Sequence, residues 1–186
     1  MLPLCQKKEE SISPLVFDST HQKKHNINPE LSRSSRFHQN VSTESLPLHR
    51  VKATVTRKAH FNSAHRLHVP TWSDEKNQTY FGLCNNPNFH GHNYELDVSV
   101  TGEINPLTGF AYDIGKLKKL IEKEITEAFD HKNLNLDTPE FKNLNPTAEN
   151  IASVIWQKLR SQIETEYELT VTLAETPRNI VTVNGK

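Results

Sequence analysis

Two histidines one residue apart, His90 and His92, have a spacing that could bind a metal. They directly precede an alternating segment that begins at Tyr94, and on a strand residues i and i+2 point to the same face. Both imidazoles can therefore converge on one ion, whereas on a helix they would diverge by about 200°. Imidazole nitrogen is a common ligand of zinc. The pair therefore predicts two ligands of a zinc site.

A tight catalytic zinc site needs a third protein ligand. His65, which follows the first predicted strand, is our choice, and His60 and His68 are the alternatives. Three neutral histidines leave a fourth position open for water or substrate, as in catalytic zinc sites. A His-x-His pair by itself also occurs in ordinary turns, so this prediction depends on the neighbouring residues.

Cys84 lies six residues before His90, in a segment whose Asn and Pro content indicates a loop. A thiolate there could move a proton or attack a substrate. Two alternatives stay open, a buried inert thiol and a ligand that completes a structural Cys/His zinc site. A closed site of that kind would favour a structural or binding protein over an enzyme.

Two further positions carry acid–base groups. Asp130 and His131 follow a predicted helix, and a carboxylate beside an imidazole can orient it and raise its pKa. The alternative is a histidine that interacts with the helix dipole. Glu175 ends a strand predicted over residues 168–174, where it could accept two parallel N–H bonds from a pterin or guanine edge. Its alternative is an exposed turn residue.

The elements that must position these groups follow from periodicity. Four segments alternate as half-buried strands do, and they begin near Val51, Tyr94, Leu169 and Ile180. Asp113 and Thr147 are the expected N-caps of two helices with apolar stripes. The order predicts an α+β fold, with a four-stranded antiparallel sheet and two helices on one face. Its open edges need covering, and sheet continuation between subunits would do this.

Composition excludes other classes. The 22 basic residues equal the 22 acidic ones, which argues against a nucleic-acid binder with a broad basic face. No apolar run approaches the ~20 residues of a membrane span, and residues 1–10 do not resemble a secretory signal. Two cysteines, Cys5 and Cys84, cannot form a disulfide framework, so a cytoplasmic location is expected. Residues 1–49 lack periodicity and are predicted to be a disordered or weakly ordered extension before a domain at 50–186.

Five stretches together resemble one family, that of 6-pyruvoyltetrahydropterin synthase and its relative 6-carboxytetrahydropterin synthase. They are residues 61–67, 81–94, 130–134, 146–150 and 175–177. They run in the family's order across residues 51–186, which makes the resemblance far more specific than any single motif. It implies the family's tunnel fold, in which subunits join their sheets into a barrel with active sites at subunit interfaces.

The resemblance also implies roles for the site residues. One Zn²⁺ per subunit is bound by His65, His90 and His92. Catalysis uses Cys84 as base or proton carrier, with Asp130 and His131 as the partner dyad. Glu175 anchors the pterin ring, and Glu149 assists.

The implied substrate is 7,8-dihydroneopterin triphosphate, with Mg²⁺ expected on its triphosphate. The implied assembly is a homohexamer, a dimer of trimers, in which Cys84 and His131 of one site come from different chains. No nucleic acid or membrane partner is expected.

Two branches of the family differ in product. The long spacing from Cys84 to His90 and residues 130–134 look like the pyruvoyl branch, which retains the three-carbon side chain and serves tetrahydrobiopterin-type synthesis. Residues 146–150 look more like carboxy-type members, which release acetaldehyde in queuosine synthesis. We predict pyruvoyl chemistry, with 6-carboxytetrahydropterin synthesis as the alternative and a zinc- and pterin-binding protein without turnover as the non-enzyme alternative.

Overall fold

The alternating segments of the sequence form a single sheet. The computed structural model describes residues 51–185, and the predicted extension at residues 1–49 lies outside them. The strands are β1 (Lys52–His65), β2 (His90–Glu103), β3 (Lys132–Asn133), β4 (Glu168–Thr176) and β5 (Asn179–Val183). Their order is β3-β1-β2-β4-β5, and all neighbours are antiparallel except β3, which is parallel to β1.

The helices lie in the connections between these strands. They are α1 (Asp74–Phe81), α2 (Ile114–Ile121), α3 (Glu127–Phe129), α4 (Leu134–Asp137) and α5 (Ala148–Arg160). A π-helical turn, Glu122–Thr126, joins α2 to α3, and two 3₁₀ turns span Gly82–Asn85 and Pro139–Phe141. No helix among the described residues is both long and apolar enough to cross a membrane.

Both predicted N-caps are confirmed. The Asp113 carboxylate accepts the backbone N–H groups of Gly115 at 2.7 Å and Lys116 at 3.1 Å, at the start of α2. The Thr147 hydroxyl accepts the N–H of Asn150 at 3.3 Å, at the start of α5. Each cap satisfies donors that the first helical turn leaves without an intrahelical partner.

The core lies between one face of the sheet and the long helices. Alternate residues of β2 and β4 are buried against the apolar stripes of α2 and α5, for example Leu96, Val98, Leu117 and Ile155, each 0% exposed. The opposite face carries polar rows, in which Thr54 bonds Thr101 at 2.7 Å and Thr56 bonds Ser99 at 2.8 Å. One apolar and one polar face are what an antiparallel sheet with helices on one side requires.

The prediction of four strands is wrong, because the described sheet has five. The additional strand, β3, has only two residues, too few to show an alternating pattern. It forms where His131, at the end of α3, adopts a φ of 59° and donates its backbone N–H to the Asn62 carbonyl at 2.7 Å. That reversal brings the chain alongside β1, and the pairing of Ser63 with Lys132 follows.

Two other features differ from the prediction. The segment between β1 and β2 contains α1, which has one buried residue, Asn77, and therefore no apolar stripe to reveal it. The strand β1 extends to His65, so this histidine ends the strand rather than following it. Because β1 extends this far, its pairing with β2 continues to His65 and His90, at one end of the sheet.

Candidate metal centre and active site

Three histidines converge at the end of the β1–β2 pair. His65 and His90 are Cα partners in the antiparallel register, and His92 lies two residues further along β2 on the same face. The Nε2 atoms of His65 and His90 are 3.0 Å apart. One ligand nitrogen from each of the three residues lies within 4.8 Å of the others. This cluster, called the histidine triad below, could bind a metal ion.

Hydrogen bonding leaves the triad ready to accept a cation. His65 is 1% exposed, and its Nδ1 lies 2.8 Å from the Pro146 carbonyl. A carbonyl can only accept, so Nδ1 carries the proton and Nε2 presents a lone pair to the cluster. The Nε2 atom of His92 is buried without a hydrogen-bond partner among the described residues. A bound metal would satisfy that nitrogen, and the donor set therefore fits one.

Burial favours the neutral form of two of the three histidines, His65 and His90. Burial lowers the pKa of His65, and the neighbouring His90 and His92 lower it further. Burial, followed by His92, also lowers the pKa of His90. Only the neutral imidazole has a free lone pair, so these shifts favour the metal-binding form.

The carboxylate of Glu175 faces the same cluster. Its Oε1 lies 3.6 Å from Nε2 of His65 and 3.8 Å from Nε2 of His92. Its side chain is 18% exposed, so Glu175 is not the exposed turn residue of the alternative interpretation. The irregular pairing of β4 with β5 between Ala174 and Thr176 occurs at this residue. The site therefore has one acidic wall beside the triad.

Cys84 lies in the 3₁₀ turn Gly82–Asn85 and is half-buried. Its carbonyl accepts the backbone N–H of Leu67 at 2.8 Å. Leu67 follows His65 by two residues. Burial and the negative charge of Glu175 raise the pKa of the Cys84 thiol. Among the described residues, the converging metal-ligand atoms come from the three histidines and do not include this sulfur. This arrangement does not favour the closed Cys/His site.

Asp130 and His131 form a hydrogen-bonded pair in which the His131 side chain is exposed. The Nδ1 of His131 lies 2.8 Å from Oδ2 of Asp130, whose Oδ1 accepts the backbone N–H of Asn62 at 2.8 Å. That N–H, followed by the hydrogen bond to His131, holds the pKa of Asp130 below its usual value. The two side chains therefore touch, which adjacency in sequence alone could not establish.

The same pair makes no direct bond to the rest of the site in the described part of the chain. The His131 side chain is 80% exposed and lines an open groove with Asn62, Asn93 and His92 of the triad. Within residues 51–185, no hydrogen bond, ion pair or ring contact joins His131 to Cys84 or to the triad. Glu149, in the first turn of α5, is exposed and lies three residues after Pro146.

Sequence reasoning missed the polar contacts that follow His65. Asn135 binds both backbone groups of Arg66, at 2.8 and 2.9 Å. Asn77 does the same for Val69, at 2.8 and 3.0 Å. The frequency of asparagine in the loops was the available signal, because its side chain both donates and accepts.

The fold and these groups define a class, an α+β protein with three converging histidines that could bind a metal, near a carboxylate and a thiol. Residues 54–186 match the family model described as 6-pyruvoyl tetrahydropterin synthase. The chain belongs to this family, which confirms the resemblance seen in its motifs.

Named relatives agree with this assignment. The chain is 43% identical over 137 residues to 6-pyruvoyl tetrahydrobiopterin synthase of Homo sapiens, covering 74% of this chain and 94% of that protein. It is 43% identical over 136 residues to the enzyme of that name from Drosophila melanogaster, covering 72% and 80%. The structure of Caenorhabditis elegans 6-pyruvoyl tetrahydropterin synthase superposes with a TM-score of 0.69 at 40% identity, covering 73% and 97%.

Proposed function

We propose that this protein is a lyase that converts 7,8-dihydroneopterin triphosphate to 6-pyruvoyltetrahydropterin with release of triphosphate. The observation that carries the proposal is the histidine triad, flanked by Glu175 and Cys84, in a chain of this family. The relatives at 43% identity bear the pyruvoyl name, so the carboxy alternative is not favoured. The product belongs to tetrahydrobiopterin-type synthesis.

His65, His90 and His92 would hold one Zn²⁺ per subunit, because three neutral imidazoles suit that ion. The ion supplies Lewis-acid polarisation of a substrate oxygen. The protein's own contribution is to fix the three rings, since the register of the β-strands and the Pro146 carbonyl set their orientation.

Glu175 anchors the pterin ring in this proposal. An ionised carboxylate accepts two parallel N–H bonds from a planar, guanidine-like edge, and the half-buried position strengthens them. Glu149 assists from the exposed first turn of α5, and Mg²⁺ accompanies the triphosphate.

Cys84 and the His131–Asp130 pair move protons at the side-chain carbons. The raised pKa of Cys84 keeps its sulfur protonated in the resting protein, so the thiol is a proton carrier that must first be deprotonated to act as a base. Asp130 stays ionised because its pKa is lowered, and it can stabilise the imidazolium of His131. Triphosphate leaves, and internal redox between side chain and ring gives the reduced pterin.

The outward position of the dyad supports a shared active site. His131 is exposed and makes no contact with Cys84 in the described part of one protomer, so a second copy would bring its own dyad to the thiol. Sheets joined edge to edge into the barrel of the tunnel fold would provide that contact and cover the open strands. We propose a homohexamer, arranged as a dimer of trimers.

Mixing two inactive variants tests the shared site. Cys84→Ala and His131→Ala proteins, unfolded and refolded together in equal amounts, should regain activity, because about a quarter of randomly mixed sites contain both native side chains. The measurement is turnover of the mixture against each variant refolded alone. Activity that stays at the level of the separate variants would place both groups in one chain.

The proposed reaction is tested directly. Zinc-loaded protein is incubated with 7,8-dihydroneopterin triphosphate and Mg²⁺, and products are identified by mass spectrometry. We expect the 6-pyruvoyl product and free triphosphate. A 6-carboxy product with acetaldehyde would refute the pyruvoyl assignment and keep the site. No turnover from zinc-loaded protein would refute the enzyme and leave a zinc- and pterin-binding protein.

A further inference from the structure

Arg66 and Asn85 join the metal-binding strand to the turn that carries Cys84. The Nε of Arg66 donates to the Asn85 carbonyl at 2.9 Å and to its side-chain oxygen at 3.2 Å, and Nη2 donates to that side-chain oxygen at 3.0 Å. Nδ1 of His68 lies 3.0 Å from the same oxygen. Asn85 is 6% exposed, so these are contacts of a buried acceptor. We call the Arg66–Asn85–His68 contacts the amide clamp.

The amide clamp acts on the residues directly beside two functional groups. Arg66 follows the ligand His65 without an intervening residue, and Asn85 follows Cys84 in the same way. On the same, C-terminal side of the thiol residue, the Leu67 N–H also holds the Cys84 carbonyl at 2.8 Å. The backbone that follows the sulfur is therefore tied at two successive residues, Cys84 and Asn85, to the segment that leaves the metal-binding strand.

Both ends of this connection are themselves held. Asn135 binds both backbone groups of Arg66, and Asn145 accepts the His68 N–H at 3.1 Å. An arginine suits the position because its planar fork can bond a carbonyl and an amide oxygen together, whereas lysine offers a single point of contact.

We propose that Arg66 and Asn85 are positioning residues that fix the Cys84 thiol relative to the histidine triad. The proposal rests on the function proposed for Cys84. Removing the Asn85 side-chain oxygen takes away the acceptor of Nη2 of Arg66 and the partner of Nδ1 of His68, so the turn shifts to recover partners. A displacement of about 1 Å costs a catalytic group on the order of 100-fold in rate.

The test compares Asn85→Leu and Arg66→Lys with a matched control, Arg160→Lys. Arg160 is also a fork that holds backbone carbonyls, those of Tyr167 at 2.8 Å and Ile163. It is the last residue of α5, and it bonds the connection to β4 at the end of that strand remote from Glu175. The two Arg→Lys variants therefore each remove a guanidinium that holds backbone carbonyls, one near Cys84 and the other at the opposite end of the sheet.

The readouts separate positioning from stability. Both site variants should lose about 100-fold in kcat with KM and zinc content unchanged, and Arg160→Lys should keep its kcat. In a Cys5→Ser background, iodoacetamide should alkylate Cys84 faster in the site variants, because the loosened turn exposes the sulfur. The double variant should lose no more kcat than the worse single variant, since both changes break one contact.

Several results would overturn the proposal. These are a wild-type kcat in both site variants, additive losses in the double variant, or losses that track melting temperature equally in Arg160→Lys. Should Asn85→Leu fail to fold, Arg66→Lys decides, because lysine keeps one bond to the Asn85 carbonyl. If the native protein shows no turnover, the proposed reaction fails, and an alkylation rate equal in all variants would separately refute the amide clamp.

Discussion

Replacing Cys84 with alanine is expected to reduce kcat by about 1,000-fold, within the range that positioned acid–base groups contribute. The thiol is half-buried beside Glu175. Among the described residues, His68 is the imidazole that bonds the turn carrying Cys84, through Asn85. Bound metal should be unchanged, because the converging ligand atoms come from the histidines. The measurement is steady-state formation of the pyruvoyl product.

The control for this variant is Cys5→Ser, which removes the second cysteine of the chain. It should retain native kcat and should leave one alkylation site for checking that Cys84 is intact. A Cys84→Ala protein with full turnover would eliminate the thiol from the mechanism, whatever its effect on stability.

Replacing His90 with alanine is expected to remove the metal and, with it, turnover. Two histidines remain, and the affinity should fall by more than about 100-fold, the upper loss seen when only an outer-shell partner is removed. The measurement is metal content after dialysis, followed by turnover. His60→Ala is the matched control, because His60 is exposed on the opposite face of β1.

The effect of pH on the metal site has a defined sign. The pKa values of His65 and His90 are lowered from the ordinary 6.5, so both imidazoles stay neutral further into the acid range. Metal should therefore be retained as pH falls through the ordinary histidine range and be lost below it. In the comparison of variants described before, equal metal loss from His90→Ala and His60→Ala would contradict the assignment of the triad.

The fold was predictable where burial follows a local period. Leu96, Val98 and Val100 alternate with polar neighbours, and the structure buries all three against the helices. The strand β3 and helix α1 were missed because neither buries an apolar stripe. Tertiary contacts create both elements, and such contacts leave no periodic signal in the sequence.

The site was predictable only in part for the same reason. The convergence of His90 and His92 follows from strand geometry, so this pair of candidate ligands could be derived from spacing. The Pro146 carbonyl that orients His65 comes from 81 residues away, and backbone carbonyls have no residue type by which to recognise them. The Arg66–Asn85 contact likewise joins residues 19 apart through side chains that are common on surfaces.

The pairing of His65 with His90 has a consequence for how the protein folds. A slip of one residue between β1 and β2 would turn His90 and His92 to the polar face and leave His65 on the other side of the sheet. All three histidines can therefore bind one ion only when the two strands pair in the correct register. Because the binding free energy of the metal adds to that of the native sheet alone, the ion would select this pairing over its misaligned competitors during folding.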